Sequence, residues 1–224
     1  NLCTGEGERI NASFKRNNCG NGAENIVAAV NNLTGIKIEH IASFNFEGFE
    51  KIIDSFNGIE ICVEETQREG YSFELQKGCQ KVNGSTALNW TRSRNTEVLI
   101  GQKIVDEDGN DKSEWKKMES VSDLSRVERQ QYLVIQLLNE LENFSSFGEL
   151  LQFIQALEKT FVVDEGLSIN KATNILWGLR TQDLNDIAKL TVPTTPYQLN
   201  DGRQVLILDG NFYDFAKENL LIEE

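Results

Sequence analysis

Segments of helical period and segments of strand period alternate along this chain, and that interleaving restricts its fold more than any other feature. Ile26, Val27, Val30 and Leu33 recur at helical spacing between Ala23 and Leu33, and Gly35 stands where a left-handed helix stop is expected. His40 to Phe46 reads as a largely buried strand and Gly48 to Phe56 as a short helix. Ile59 to Val63 and Tyr71 to Leu75 alternate as strands. After an Asn83-Gly84 turn, Ala87 to Arg94 reads as a short helix or turn leading into an extended end. The longest helix is expected to begin at Ser125, or as early as Ser122, because Ser125 and Glu128 form an S-x-x-E capping box. Leu124, Val127, Gln131, Val134, Ile135, Leu138 and Leu141 give it one mainly apolar stripe. Helices near 147–159, 168–178 and 181–187 follow, then strands at Lys189 to Val192 and Gln204 to Leu208 and a helix from about Asn211 to Leu220. Such interleaving implies an α/β fold whose sheet is covered by helices on both faces, and 224 residues suffice for a single domain.

Two short segments concentrate cationic side chains. Asn89 to Arg94 carries Arg92 and Arg94, which project from one face if that end is extended. Asp123 to Gln131 carries Arg126, Arg129 and Gln130, which share a face of a helix. Arg126 and Gln130 also lie near the positive N-terminal end of that helix, where an anion is already favoured. If the two faces meet, four guanidinium groups converge in a chain whose net charge is -13. Planar forked donors suit phosphate oxygens best. The competing reading is a set of surface arginines with a solvated Gln, and for Asp123 and Arg129 a local salt bridge.

The acidic excess argues against nucleic-acid binding, since no basic patch exists to release counterions from a phosphate backbone. No apolar stretch is long enough to span a membrane and no signal peptide is visible. The chain begins at Asn1 and not at Met, so it is expected to be a piece of a longer protein with an anchor upstream. Cys3, Cys19, Cys62 and Cys79 are spaced so as to favour two local loops, Cys3–Cys19 and Cys62–Cys79, although four cysteines allow other pairings and four buried thiols remain open. With one His, His40, and no C-x-x-C spacing, a zinc site is not expected, and His40 itself reads as structural. Residues 95–122 read as an inserted acidic surface loop, whose Asp106 to Asp111 run lacks the final Glu of an EF-hand.

A series of motifs resembles, in order, those of the LytR-CpsA-Psr family. They are Ile10-Asn11-Ala12-Ser13-Phe14, Leu33-Thr34-Gly35-Ile36, Phe46-Glu47-Gly48-Phe49 and Gly58-Ile59-Glu60-Ile61-Cys62-Val63. Asn83-Gly84 with Ala87 to Arg94, and Arg126-Val127-Glu128-Arg129-Gln130-Gln131, complete the set. The resemblance implies an α-β-α sandwich with a central mixed sheet and an apolar groove for a lipid tail. It implies a magnesium-assisted phosphotransferase on the extracytoplasmic face of a Gram-positive membrane, held there by an N-terminal anchor. Its substrates would be a glycopolymer carried on polyprenyl pyrophosphate (teichoic acid, capsular polysaccharide or arabinogalactan) and peptidoglycan as acceptor. A binding module for polyprenyl phosphate or wall polymer, without turnover, is the alternative.

Carried over by motif, Arg92, Arg94, Arg126 and Gln130 would grip the pyrophosphate, with Arg129 and Asp123 as further candidates. The family's metal-holding aspartates lie before the Ile10-Asn11-Ala12 motif, so no metal ligand is assigned in this chain. A branch of the family with two disulfides is similar to this chain in its cysteines.

Overall fold

The computed structural model describes residues 10–15, 22–118, 123–182 and 192–220. The first half holds helix α1 (Gly22–Thr34), strand β1 (Ala42–Ser43), α2 (Phe46–Ser55), β2 (Ile59–Val63), β3 (Gln67–Glu69), β4 (Phe73–Leu75), β5 (Gly78–Val82) and α3 (Gly84–Arg92). Then come β6 (Glu97–Ile100), β7 (Glu114–Lys117), α4 (Asp123–Asn139), α5 (Phe147–Ala156), β8 (Val162–Val163) and α6 (Ile169–Leu179). The hairpin β9 (Thr194–Gln198) and β10 (Gln204–Leu208) leads to α7 (Phe212–Leu220). The chain divides into two compact units, residues 1–41 with 186–224, and residues 42–185.

In the first unit α1 stops as its sequence demands. Gly35 takes a φ of +71° and its N–H donates to the Asn31 carbonyl at 2.9 Å. Strand β10 pairs with β9 from Gln204↔Gln198 to Leu208↔Thr194. Pro196 in β9 lacks an N–H and breaks any strand signal there, which is why only β10 is legible in the sequence.

The second unit is built on β2. Its Ile59, Ile61 and Val63 point inward, and join Ile53 of α2, Phe73 and Leu75 of β4, Ala87 and Trp90 of α3 and Leu133 of α4 in one core. A second cluster of Leu141, Phe144 and Leu150, with Phe153, Ile154, Leu176 and Trp177 packed on it, joins α5 to α6. Strand β5 lies antiparallel to β2 with Cys62 opposite Cys79, and those two sulfurs form a disulfide. By loop-closure entropy a bridge of this span stabilises the fold by about 3 kcal/mol. Cys3 and Cys19 lie outside the described residues.

The mixed α/β class holds. Every strand pair among the described residues is antiparallel, in the four-stranded order β4-β3-β6-β7 and three two-stranded sheets, so the mixed sheet implied by the resemblance would need parallel pairs beyond them. The strand expected over 40–46 shrinks to Ala42–Ser43, paired with Val163 and Val162. Asn45 is the cause: its side chain accepts the Gly48 N–H and caps α2, so Phe46 is already helical. The strand expected over 71–75 begins only at Phe73, because Gly70 (φ +52°) turns the chain and leaves Tyr71 in solvent. Residues 95–122, expected as a loop, carry the β6–β7 hairpin instead, whose strands alternate too little in hydrophobicity to be read beforehand.

Helix α4 starts within the expected range but turns part of its expected apolar stripe outward. It already runs at Asp123, so Ser125 lies inside it and is no N-cap. Its inward face is Arg129, Leu133 and Leu137 at i, i+4 spacing, while Val127 and Val134 of the expected stripe are 48% and 55% exposed. The helix expected over 181–187 and the strand over 189–192 fall almost wholly outside the described residues. Among those residues no helix is long and apolar enough to cross a membrane.

Candidate functional site

Helix α3 is fixed at both ends. At its start the Asn83 side chain accepts the Thr86 N–H at 2.9 Å, and the Gly84 N–H donates to Asp54 at 2.7 Å. Its inner face buries Ala87, Leu88, Trp90 and Thr91, and the Trp90 indole N–H donates to Gln67 at 3.1 Å. Arg92 is the last helical residue and not a strand residue, with Ser93 as the cap. Beyond it burial alternates: Arg92 and Arg94 are exposed, whereas Ser93 and Thr96 are buried and their hydroxyls share a 2.7 Å hydrogen bond. The Arg92 guanidinium lies 4.0 Å over the ring of Phe46, which is 57% exposed at the start of α2.

The β6–β7 hairpin explains how two arginine segments so far apart in sequence meet. It begins directly after Arg94 and returns to its own base, where Glu97 pairs with Lys117 and the Met118 N–H donates to the Thr96 carbonyl at 3.0 Å. Residues 96 and 118 are thus neighbours whatever the length between them, and α4 follows shortly. Lys117 reaches Asn95 at 3.2 Å and adds a cation at that base.

Arg129 closes the arrangement. Its Nη1 donates to the Trp90 carbonyl at 2.6 Å and to Thr96 Oγ1 at 3.3 Å, and its Nη2 to the Ser93 carbonyl at 3.0 Å. Burial pulls its pKa down, opposed by the charge of Glu69 and helped by the charge of Arg126, which places the Arg126 guanidinium within electrostatic reach. Gln130 is exposed on α4, one turn beyond Arg126. Arg129 is therefore brought to the backbone that carries Arg92 and Arg94. Asp123 opens α4, but its side chain lies outside the described residues, and His40 belongs to the first unit.

Glu69 and Lys117 belong to none of the motifs, and Phe46 stands in one without marking a charged site; each is placed by tertiary contact. The acidic run at the hairpin tip is a turn: Asp106 accepts the backbone N–H groups of Asp108 and Asn110, which occupies the carboxylate locally. Among the described residues the only trio with metal-ligating atoms in mutual reach is Glu60, Cys62 and Cys79, and disulfide sulfurs are not thiolates. No magnesium ligand is therefore assigned among the described residues.

The hairpin is latched to β3. Arg68 pairs with Glu97 at 3.0 Å and with Asp111 at 2.5 Å, and stacks 3.8 Å from the Trp115 ring. Hydrogen bonds from Ser113, then from Trp115, together with the Arg68 charge, hold the Asp111 carboxyl down at about 2. That lies below its value in an unfolded chain, so the latch is complete above the ordinary carboxylate range and lost as pH falls through about 2. Asp111→Asn should therefore raise amide exchange across 104–117 at neutral pH, with the difference from wild type vanishing near pH 2. A difference that persists in acid would show that the carboxylate charge is not the latch.

A mixed α/β fold in which Arg129 ties the start of α4 to the end of α3 brings the two arginine-bearing segments together. Residues 2–101 and 113–221 match the LytR_cpsA_psr family, and the chain belongs to it. The stretch between those ranges, 102–112, is the tip of the hairpin. The cell wall biosynthesis protein LcpA of Corynebacterium glutamicum is 26% identical over 196 residues, covering 85% of this chain and 33% of LcpA. The chain spans less than half the length of the curated relatives it matches. The fold is shared with Bacillus subtilis TagV (TM-score 0.72, 17% identity, 95% of this chain and 73% of that one). It is shared also with TagT bound to LIIa-WTA (TM-score 0.61, 16% identity, 92% and 69%).

Proposed function

We propose that this chain belongs to a phosphotransferase that moves a glycopolymer from a polyprenyl pyrophosphate carrier to peptidoglycan, outside the cytoplasmic membrane of a Gram-positive bacterium. The observation that supports the reading is the Arg129 bridge, which joins α4, the helix of Arg126 and Gln130, to the end of α3 next to Arg92 and Arg94 in an acidic chain. Further support comes from a relative named for cell wall biosynthesis, a structural neighbour bound to LIIa-WTA, and the Cys62–Cys79 disulfide, which suits an oxidising compartment.

In this reading a peptidoglycan hydroxyl attacks the phosphorus joined to the polymer. An O–P bond forms to the acceptor, the bond to the bridging oxygen breaks, and polyprenyl phosphate leaves with the electron pair while the hydroxyl proton passes to a base. The arginines neutralise charge on the diphosphate as it shifts to the leaving phosphate, so the protein's contribution is chiefly electrostatic. Magnesium, which the family resemblance implies, would supply further neutralisation; no ligand is assigned to it among the described residues, and no step here depends on it.

The second reading is a module that binds polyprenyl pyrophosphate without turnover, which needs only the arginines common to both. Native mass spectrometry of the protein with added polyprenyl pyrophosphate tests the common ground. One bound equivalent is expected, and Arg126→Ala should weaken it by about 10- to 150-fold, the worth of one charge-assisted contact. No retained lipid would overturn both readings; retention without transfer to peptidoglycan in the intact protein would leave only the second.

A further inference from the structure

We propose that Arg129 is a positioning residue: its guanidinium shapes the Trp90–Thr96 backbone so that Arg92 and Arg94 face a diphosphate. The proposal deepens the phosphotransferase reading and rests on it. An α-helix leaves its last carbonyls without intrahelical partners, and α3 ends at the residue that carries the first site arginine. Arg129 donates to the carbonyls of Trp90 and Ser93, which bracket Arg92, and to the hydroxyl of Thr96. Three of the five N–H directions of a guanidinium are thus committed inside the protein.

The surroundings agree with a structural anchor. Ser93 and Thr96 are 2% and 0% exposed, and their mutual hydrogen bond extends the network that Arg129 closes. The cation sits at the negative end of the α3 dipole, which compensates part of its desolvation. On α4 it shares the inward face with Leu133, a core residue, so the cation is held between the core and the end of α3. Arg92 and Arg94 stand exposed on either side of the anchored Ser93, as ligands for an outside anion should.

Lysine at this position keeps the charge but offers a single ammonium where a fork spans two carbonyls. Arg129→Lys is therefore expected to weaken binding of inorganic pyrophosphate by about 10-fold, measured by calorimetry, with thermal unfolding still cooperative. In an Arg92→Ala/Arg94→Ala background the same change should cost less than about 2-fold, because nothing is left to be positioned. Hydrogen exchange at the Ser93 to Thr96 amides should quicken in Arg129→Lys while the β2 amides stay protected. That measurement decides the matter if the double variant binds too weakly to compare.

Equal losses in both backgrounds would make Arg129 a direct ligand and overturn the proposal, as would unchanged exchange at Ser93 to Thr96. Should Arg92→Ala and Arg94→Ala themselves leave pyrophosphate affinity untouched, the anion-site reading fails as well. Loss of affinity in those two variants with none in Arg129→Lys defeats the positioning role alone.

Discussion

Arg92→Ala is expected to lower polymer transfer by the intact protein by at least about 100-fold, the typical loss for one preorganised donor aimed at developing charge. The guanidinium projects from the end of α3 into solvent, supported on one side by the Phe46 ring. A single charge-assisted hydrogen bond to phosphate is worth about 1.5–3 kcal/mol. In the transition state, charge moves toward the leaving phosphate, so a donor fixed there contributes more than it does in the ground state. Because Arg92 is exposed, its removal leaves no buried partner unsatisfied. The structural loss is limited to the stacking on Phe46, about 0.5–1 kcal/mol at an exposed site. For a chain of this size that lowers Tm by no more than about 2–4 °C. The decisive pattern is therefore a collapse of transfer with a nearly unchanged melting curve. Transfer within a few-fold of wild type would remove Arg92 from the site, and a melting point lowered by tens of degrees would mean that Arg92 holds the fold.

The contrast between Arg92 and Arg129 marks the limit of what the residues disclose on their own. Both stand in arginine motifs of the same appearance, and motif order alone groups them. Only the fold separates an exposed side chain from one whose fork is turned into the protein. Helix α4 departs from its apolar pattern at two positions for the same reason. Hydrophobic periodicity selects Val127 and Val134 for its inner face, yet the helix is rotated so that Arg129 and Leu133 lie inward and those valines outward. A charged residue on the core side is invisible to a pattern that counts apolar positions. Where pattern and packing agree, the sequence is legible: β2 alternates as Ile59, Ile61 and Val63 suggest, and α1, α5 and α6 end close to their caps. The Cys62–Cys79 pair, favoured by spacing, proved to be a cross-strand register pair. The strands of the hairpin were not legible, because β7 is short and polar and owes its place to the Arg68 latch. That hairpin matters to the site all the same, since its base makes neighbours of Thr96 and Met118.

Asn83-Gly84 looked like a turn, and its glycine leads to the largest expected loss of stability. Gly84 is the first residue of α3, and a Cβ there would stand 2.4 Å from the Glu50 carbonyl oxygen and 2.5 Å from the Glu50 Cα. Both atoms are backbone of α2, so no side-chain rotation relieves the contact; the two helices must move apart. They cannot separate without loosening Ile53 from Ala87 and Trp90 in the core, and the Gly84 N–H from Asp54. Two opposing effects decide the sign for Gly84→Ala. Replacing a helical glycine by alanine gains about 1 kcal/mol from the unfolded chain and helix propensity. Forcing a methyl into a closed contact costs about 3 kcal/mol or more when backbone has to yield. The clash wins, and Tm should fall by roughly 4–8 °C for a net loss of about 2 kcal/mol. Gly178 in α6 supplies the control, because a Cβ there meets nothing within 4 Å. Gly178→Ala should stabilise by up to about 1 kcal/mol, so the same chemical change has opposite signs at the two sites. If Gly84→Ala melted at or above wild type, α2 and α3 would not approach as closely as described. The support for Phe46, and through it the placement of Arg92, would then need another origin.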